Sequence, residues 1–412
     1  MKAQEARAVT HLGVQAYAGA VSHIEKAHIR LASLSYRHVP IGGALQAVHD
    51  SIARTAYRAV REAGTVAGTA VAGLLPVASA GLDQRPIGSS GRSNHMQAAL
   101  NAAIGDRLSD DHNPLAIRTA LRSEGRDITV DRDSLRRVVR AATSKIAVFV
   151  HGLGESDDSW RLGSGRGGHT YGGRLAAEFG YADLYVRCNS SRHVSQNGRD
   201  LSGLLGEIVT AWPWRVEEVL LLGHSMGGLV IRSACHYGQE SAARWIPRVR
   251  HVFLLGSPNL GAPLARWTRY PAQAAAKRKD TLPFAPLLTT RSAGIDDLRF
   301  GYLLDDDWEG CDTETCGEDH RHDVPLLATA NHYTISATVT RTAGNPLAEV
   351  LGDLLVQPAS AHGRHRRHQH IPFAIENSDQ FCGRHHFDLL NDPGVYAAMR
   401  TRLAASSHPS VS

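Results

Sequence analysis

The 412-residue chain has no long apolar run, few cysteines and few aromatic residues, and each shortage excludes something. A membrane span needs roughly 20 consecutive apolar residues. The nearest approach, Thr65–Leu82, is rich in Ala and Gly and is broken by Pro76, so it reads as a packed helix, with interfacial contact with lipid as the alternative. The first twenty residues lack the apolar core of an export signal, so the expected compartment is cytoplasmic. Cys188, Cys235, Cys311, Cys316 and Cys382 are odd in number and irregular in spacing, which argues against a disulfide framework and for reducing surroundings. Aromatic residues make up 6% of the chain, and no aromatic–basic module accompanies the net charge of +5, so nucleic acid is not an expected partner.

What is present is an ordinary globular composition, 42% hydrophobic and 21% charged, organised in two textures. Residues 1–112 read as helical. Val9, Leu12, Ala16, Ala20, Ile24, Ala27 and Leu31 form one stripe at spacings of three and four, and Leu45, Val48, Ile52, Ala56 and Val60 form another. A further helix is expected over about 94–107, after the loop-forming run Arg85–Gly91. This region carries no catalytic constellation, and contact with a partner protein is the functional alternative to plain packing.

From 113 to 406 strands and helices alternate, which predicts a mostly parallel sheet covered on both faces. A hairpin is expected around Ser123–Arg126. Strands are expected at Lys145–Val150, Ala182–Arg187, Val216–Leu222, Arg250–Leu255, Tyr333–Val339 and about Phe373–Phe381, and a last helix at about 393–404. The alternation stops between Pro263 and Leu327. That interval mixes the apolar piece Leu282–Leu288, including Phe284 and Leu287, with charged runs, as an inserted lid would; a static insertion is the alternative.

The most informative run is Gly223-His224-Ser225-Met226-Gly227-Gly228, which follows the apolar Val219–Leu222. It predicts a strand driven into a sharp turn and then a helix, with Ser225 at the tip. Gly223 and Gly227 leave room for the strained backbone that such a turn needs. The turn would point the Met226 amide at a developing oxyanion. A second amide, from Leu153, is expected from the loop Val150-His151-Gly152-Leu153-Gly154 after the first central strand. His151 and His224 are expected to brace this region without transferring protons.

A serine needs a base, and the base needs an acid to hold its tautomer. In a strand–turn–helix architecture of this kind the chain order is Ser, then Asp or Glu, then His. Asp353 follows a late strand, with Asp379 and Asp388 as alternatives. The pair His385-His386 precedes the terminal helix, and either histidine could serve.

Together these features resemble a serine hydrolase of the α/β-hydrolase fold, on its lipase and esterase side. The resemblance rests on HGLGES at 151–156, GHSMGG at 223–228, LLGSPNLGAPLA at 254–265, and GDLLVQPASA at 352–361 with HHFDLL at 385–390. LGSPNLGAP is similar to a strand-end signature of bacterial triacylglycerol lipases and glycosylphosphatidylinositol inositol-deacylase-like hydrolases, which commonly carry histidine where this chain has Asn259. An Asn-containing loop at 187–198 is similar to one that borders the active site in those hydrolases. The resemblance covers about 115–404 and says nothing of 1–112. It implies His386 as the base, because the family pattern places the histidine directly before an apolar-x-Leu-Leu run.

The expectation is therefore an α/β-hydrolase fold with an inserted lid at 263–327 and an N-terminal helical region at 1–112. Its activity would be hydrolysis of a small-molecule or lipid carboxylic ester through Ser225, His386 and Asp353, with Leu153 and Met226 as the oxyanion hole and no cofactor. An acyltransferase with the same triad, or a binding protein on this scaffold, are the alternatives. Cys311 and Cys316 lie among acidic residues and near His320 and His322, but their spacing does not match a standard zinc site, and an exposed loop is the expected reading.

Overall fold

The computed structural model describes residues 3–36, short stretches within 46–65, and 88–139, 141–165, 169–262, 292–310, 320–342, 348–349, 352–364 and 371–406. The chain divides into two compact units. The first comprises residues 1–87 with 113–115, and its described part is mainly the helix α1 (Ala3–Tyr36). Arg61 pairs with Glu25 in this unit, while Val9, expected on a packed stripe, is exposed.

The second unit holds 88–112 and 116–412. Gly88–His112 therefore group with the sheet and not with the preceding helical region, which moves the expected boundary at 112. The helix concerned, α2 (Gly91–Asp110), buries Asn94, Gln97 and Asn101. Asn94 donates to Asp157 and Asp158, and Asn101 accepts from the Ile117 amide at 2.8 Å. These polar residues hold the helix on the unit.

Eight strands form one sheet: β1 (Ala120–Ser123), β2 (Arg126–Ile128), β3 (Lys145–Val150), β4 (Ala182–Arg187), β5 (Glu218–His224), β6 (Val249–Leu255), β7 (Asn331–Thr338) and β8 (Ser378–Cys382). Their order is β2-β1-β4-β3-β5-β6-β7-β8. Only β1 runs against its neighbours β2 and β4; every other pairing is parallel. The hairpin turns at Glu124 and Gly125, both at positive φ, the conformation whose twist suits a two-residue connection.

Alternate residues of the central strands enter opposite cores. Ile146, Val148, Val150, Val219 and Leu221 pack with α5 (Val194–Ala211) and α6 (Met226–Glu240), reached after α3 (Arg132–Val138) and α4 (Tyr171–Phe179) in chain order. Ala147, Phe149, Leu220 and Leu222 face the other way, towards α4 and the C-terminal helix at Pro393–Ser406. A parallel sheet buried on both faces explains why its strands read as continuous apolar runs. This is the α/β-hydrolase fold class, with a mostly parallel sheet flanked by helices.

The last strand differs from expectation. The last strand begins at Ser378, not near Phe373; Phe373 is buried against the α6 side of the sheet and Ile375–Asn377 form a short helical turn. Within 263–327, the described part is packed into the body of the unit. It includes α7 (Ala293–Phe300), and Leu298, Leu303, Leu304, Val324 and Leu327 join the α6 core. Ser233 on α6 donates to the Leu303 carbonyl at 2.7 Å. Phe284 and Leu287, on which the lid expectation turned, lie outside the described residues, as do Cys311 and Cys316. Among the described residues no helix is long and apolar enough to cross a membrane.

Candidate active site

The carboxyl ends of β3, β5, β6, β7 and β8 all open at one edge of the sheet, where parallel α/β sheets place their ligands. Ser225 stands there, between the end of β5 and the start of α6, with φ 53° and ψ −125°. A non-glycine residue in that conformation stores strain of about 1–3 kcal/mol, held in place by its surroundings. The neighbours explain how it is held. A methyl group at Gly223 would lie 2.6 Å from the Gly228 amide, and one at Gly227 would collide with the Val150 carbonyl. The Ser225 amide donates to the Leu255 carbonyl at 2.8 Å, which ties the turn to the end of β6.

His386 and Asp353 meet beside this turn. The His386 Nδ1 donates to Asp353 Oδ2 at 2.7 Å, and both side chains are buried. The other carboxylate oxygen accepts from the Leu355 and Val356 amides at 2.9 and 2.7 Å, so Asp353 is fixed on both sides. Burial pulls the His386 pKa down, but the Asp353 charge, its hydrogen bond and the Glu155 charge outweigh this and make the imidazole more basic than an ordinary histidine. Its Nε2 is buried and has no hydrogen-bond partner. A methyl at Gly256 would lie 3.0 Å from His386 Cε1, so the Leu255–Gly256 corner adjoins both the Ser225 amide and the His386 ring.

The alternatives raised by the sequence are engaged elsewhere. Asp379 pairs with Arg402, at 3.3 Å. Asp388 accepts from the His385 amide at 2.8 Å, and His385 itself is exposed.

The loop after β3 lies against the serine, since a methyl at Gly152 would stand 2.8 Å from Ser225 Cβ. Here His151 is a brace: its Nδ1 donates to the Gly152 carbonyl at 2.9 Å, and its Nε2 accepts from the Cys188 amide at 3.1 Å. The Gly154 amide donates to Ser190 Oγ at 3.0 Å, which ties in the Asn-containing loop. Asn189 and Asn197 hold that loop in turn, through the Asn197 amide donating to the Asn189 carbonyl at 2.8 Å. Leu153 lies in this braced loop, and Met226 opens α6, where the first amides have no acceptor within the helix. Asn259 donates to the Ala361 carbonyl at 2.8 Å and so serves to join two loops.

Sequence reasoning missed Glu155. Its carboxylate is buried, accepts from His224 Nδ1 at 2.6 Å, and accepts from the Gly152 amide at 3.1 Å. Burial pushes Glu155 up, yet the His224 contact and the Gly152 amide outweigh it and hold the carboxyl below the usual range, so it is ionised. His224 in turn donates through Nε2 to the His386 carbonyl at 3.2 Å, and the two rings are 4.7 Å apart. A charged relay of contacts thus runs from the β3 loop through the elbow to His386. Its sequence signal was an acidic residue close after a buried strand end, inside HGLGES.

No protein-family model matches the chain, and no curated protein matches it significantly. Solved structures do resemble it. A Bacillus licheniformis lipase in its mature form is 19% identical, with 63% of this chain and 91% of its own covered and a TM-score of 0.41. A thermophilic esterase from Thermogutta terrifontis is 14% identical, with 64% and 91% covered and a TM-score of 0.36. An α/β-hydrolase fold protein from Chitinophaga pinensis is 12% identical, with 65% and 91% covered and a TM-score of 0.38. At such scores these likenesses have no bearing on activity, and the fold class rests on the strand order and register of this chain.

Proposed function

We propose that the protein is a serine hydrolase of carboxylic esters, working through Ser225, His386 and Asp353. The observation that carries this reading is the buried 2.7 Å His386–Asp353 pair next to a serine held at φ 53°. A surface histidine or an idle serine would need neither the burial nor the strain.

In this mechanism Ser225 Oγ attacks the ester carbonyl carbon as its proton passes to His386 Nε2. The tetrahedral oxyanion accepts from the Leu153 and Met226 amides, which are preorganised by a braced loop and a helix start. His386 then returns the proton to the leaving alcohol, and an acyl-enzyme remains. Water, deprotonated by the same nitrogen, attacks the acyl carbon and releases the acid and Ser225. Asp353 stabilises the imidazolium formed in each half and fixes its tautomer. The substrate is a small-molecule or lipid ester, and no cofactor takes part.

The test is hydrolysis of p-nitrophenyl esters of graded acyl length by the full chain and by Ser225→Ala. The wild type should turn over at least one of them and the variant should lose several orders of magnitude, because only binding and oxyanion effects survive. Equal turnover by the two proteins would end the proposal.

A further inference from the structure

The turn that carries the Leu153 amide has a run of hydrogen bonds with one gap. The Gly152 amide donates to Glu155 Oε2 at 3.1 Å and the Gly154 amide to Ser190 Oγ at 3.0 Å. The Glu155 amide donates to the Gly152 carbonyl at 3.2 Å, and the Ser156 amide to Ser159 Oγ at 3.1 Å. Among the described residues the Leu153 amide, alone in this run, has no acceptor. Glycines flank Leu153 on both sides, and Gly154 sits at φ 68°, so backbone sterics alone do not fix the direction of that amide. Two anchors fix it, Glu155 on the Gly152 side and Ser190 on the Gly154 side.

Ser190 is buried, and so are the two neighbours that tie it to α2. Asn189 Nδ2 donates to the Gly105 carbonyl at 2.8 Å and to Ser109 Oγ at 3.0 Å. At this point α2 is broken, since Ile104 has φ −144° and ψ 15°. A regular helix bonds the Asp106 amide to the Ala102 carbonyl. Here Ser191 Oγ accepts from that amide, and Ser292, just before α7, donates through Oγ to that carbonyl at 3.2 Å. Side chains inserted into the ladder kink a helix in this way. On the α7 side the Ser191 carbonyl accepts from the Gly294 amide at 2.8 Å. A methyl at Gly294 would lie 2.2 Å from the Ser190 carbonyl and 2.9 Å from Met226 Cε. Residues 189–191 are thus held between α2 and α7, and the Met226 side chain lies against the same corner.

We propose that Ser190 is a positioning residue of the oxyanion hole. Its hydroxyl holds the Gly154 amide and thereby aims the Leu153 amide at the substrate oxygen, and the break in α2 fixes where Ser190 stands. The inference rests on the hydrolase reading and adds to it a part for α2. Without the hydroxyl the Leu153–Gly154 peptide is free to rotate, and the Leu153 N–H swings off the line on which the oxyanion forms. The uncharged ester gains little from that amide, so the loss falls on the transition state.

The test compares the wild type, Ser190→Ala and Ser191→Ala on a p-nitrophenyl ester. Active sites are counted by fluorophosphonate labelling run to completion, so that unfolded protein does not enter kcat. Removing an oxyanion donor outright costs about 10²–10³ in kcat and a misdirected donor costs less, so Ser190→Ala should lose about 10–100-fold. Both half-reactions pass through an oxyanion, so KM should stay within about twofold. The acid limb of the pH profile, set by His386, should not move. Phenylboronic acid forms a tetrahedral adduct on a serine hydroxyl with an oxygen in the hole, and its affinity should fall by the same factor as kcat. Ser191→Ala, which takes the acceptor from the Asp106 amide, should show the same pattern with a smaller loss. A Ser190→Ala enzyme with kcat within about twofold of the wild type, or one that loses kcat while boronate affinity is unchanged, would overturn this inference alone. A Ser191→Ala enzyme as fast as the wild type would remove α2 from it. A wild type that neither hydrolyses esters nor binds the boronate would overturn the hydrolase reading as well.

Discussion

Replacing Glu155 with Gln removes a charge and leaves the shape. In the native arrangement one carboxylate oxygen accepts from His224 Nδ1 at 2.6 Å and the other from the Gly152 amide at 3.1 Å. A glutamine can keep its oxygen on the Gly152 amide only by presenting its NH2 to His224, whose Nδ1 must then accept while Nε2 still donates to the His386 carbonyl. The geometry survives and the charge-assisted contact does not. A hydrogen bond to a charged group contributes about 1.5–3 kcal/mol, which in a unit of this size lowers the melting temperature by about 2–5 °C. The Glu155 charge also raises the His386 pKa. The base works only when neutral, so activity falls as pH drops through that pKa. Removing the charge lowers it, and the acid limb of kcat/KM should move to lower pH with modest loss of the plateau. Calorimetry and a pH–rate series on a reactive ester measure both. A variant whose melting temperature and acid limb both match the wild type would refute the coupling of Glu155 to His386.

Asp353→Asn should cost on the order of 10⁴ in kcat, the scale of the corresponding change in a serine protease, whereas Asp379→Asn and Asp388→Asn, engaged with Arg402 and the His385 amide, should stay within a few-fold of wild type in the same ester assay. Gly227→Ala should abolish turnover and lower stability by at least about 1–3 kcal/mol, because its methyl meets the Val150 and His151 carbonyls; denaturant unfolding checks the second part. A chain beginning at Asp111 should melt far below one beginning at Gly88, since it strips the partners of Asp157, Ile117 and Asn189, and each buried polar group left unpaired costs about 1–3 kcal/mol.

The strand–helix alternation and the elbow were legible because their signals are local. Val219–Leu222 is apolar on both faces, and the glycines around Ser225 have no room for a Cβ. Asp353 was chosen over Asp379 and Asp388 from chain order, and the fold brings residues 353 and 386 together while Asp379 pairs with Arg402 and Asp388 accepts from the His385 amide. The grouping of α2 with the sheet was illegible for a clear reason. Its buried face carries Asn94, Gln97 and Asn101, residues that pattern reading assigns to water. The start of β8 was misplaced because Ile371 and Phe373 look like strand residues, yet they pack towards the α6 core, while β8 pairs through the polar Ser378-Asp379-Gln380. Glu155 stayed hidden because a buried carboxylate is recognisable only with its partner, and His224 lies 69 residues away.

The most direct test of the central claim is covalent. A fluorophosphonate reacts with an activated serine hydroxyl and displaces fluoride, so the intact protein should gain one phosphonyl group, and peptide mapping should place it on Ser225. Prior protonation of His386 at low pH, or Asp353→Asn, should slow the labelling sharply. Labelling at another residue, or a Ser225→Ala protein that gains the same mass at the same rate, would contradict the account.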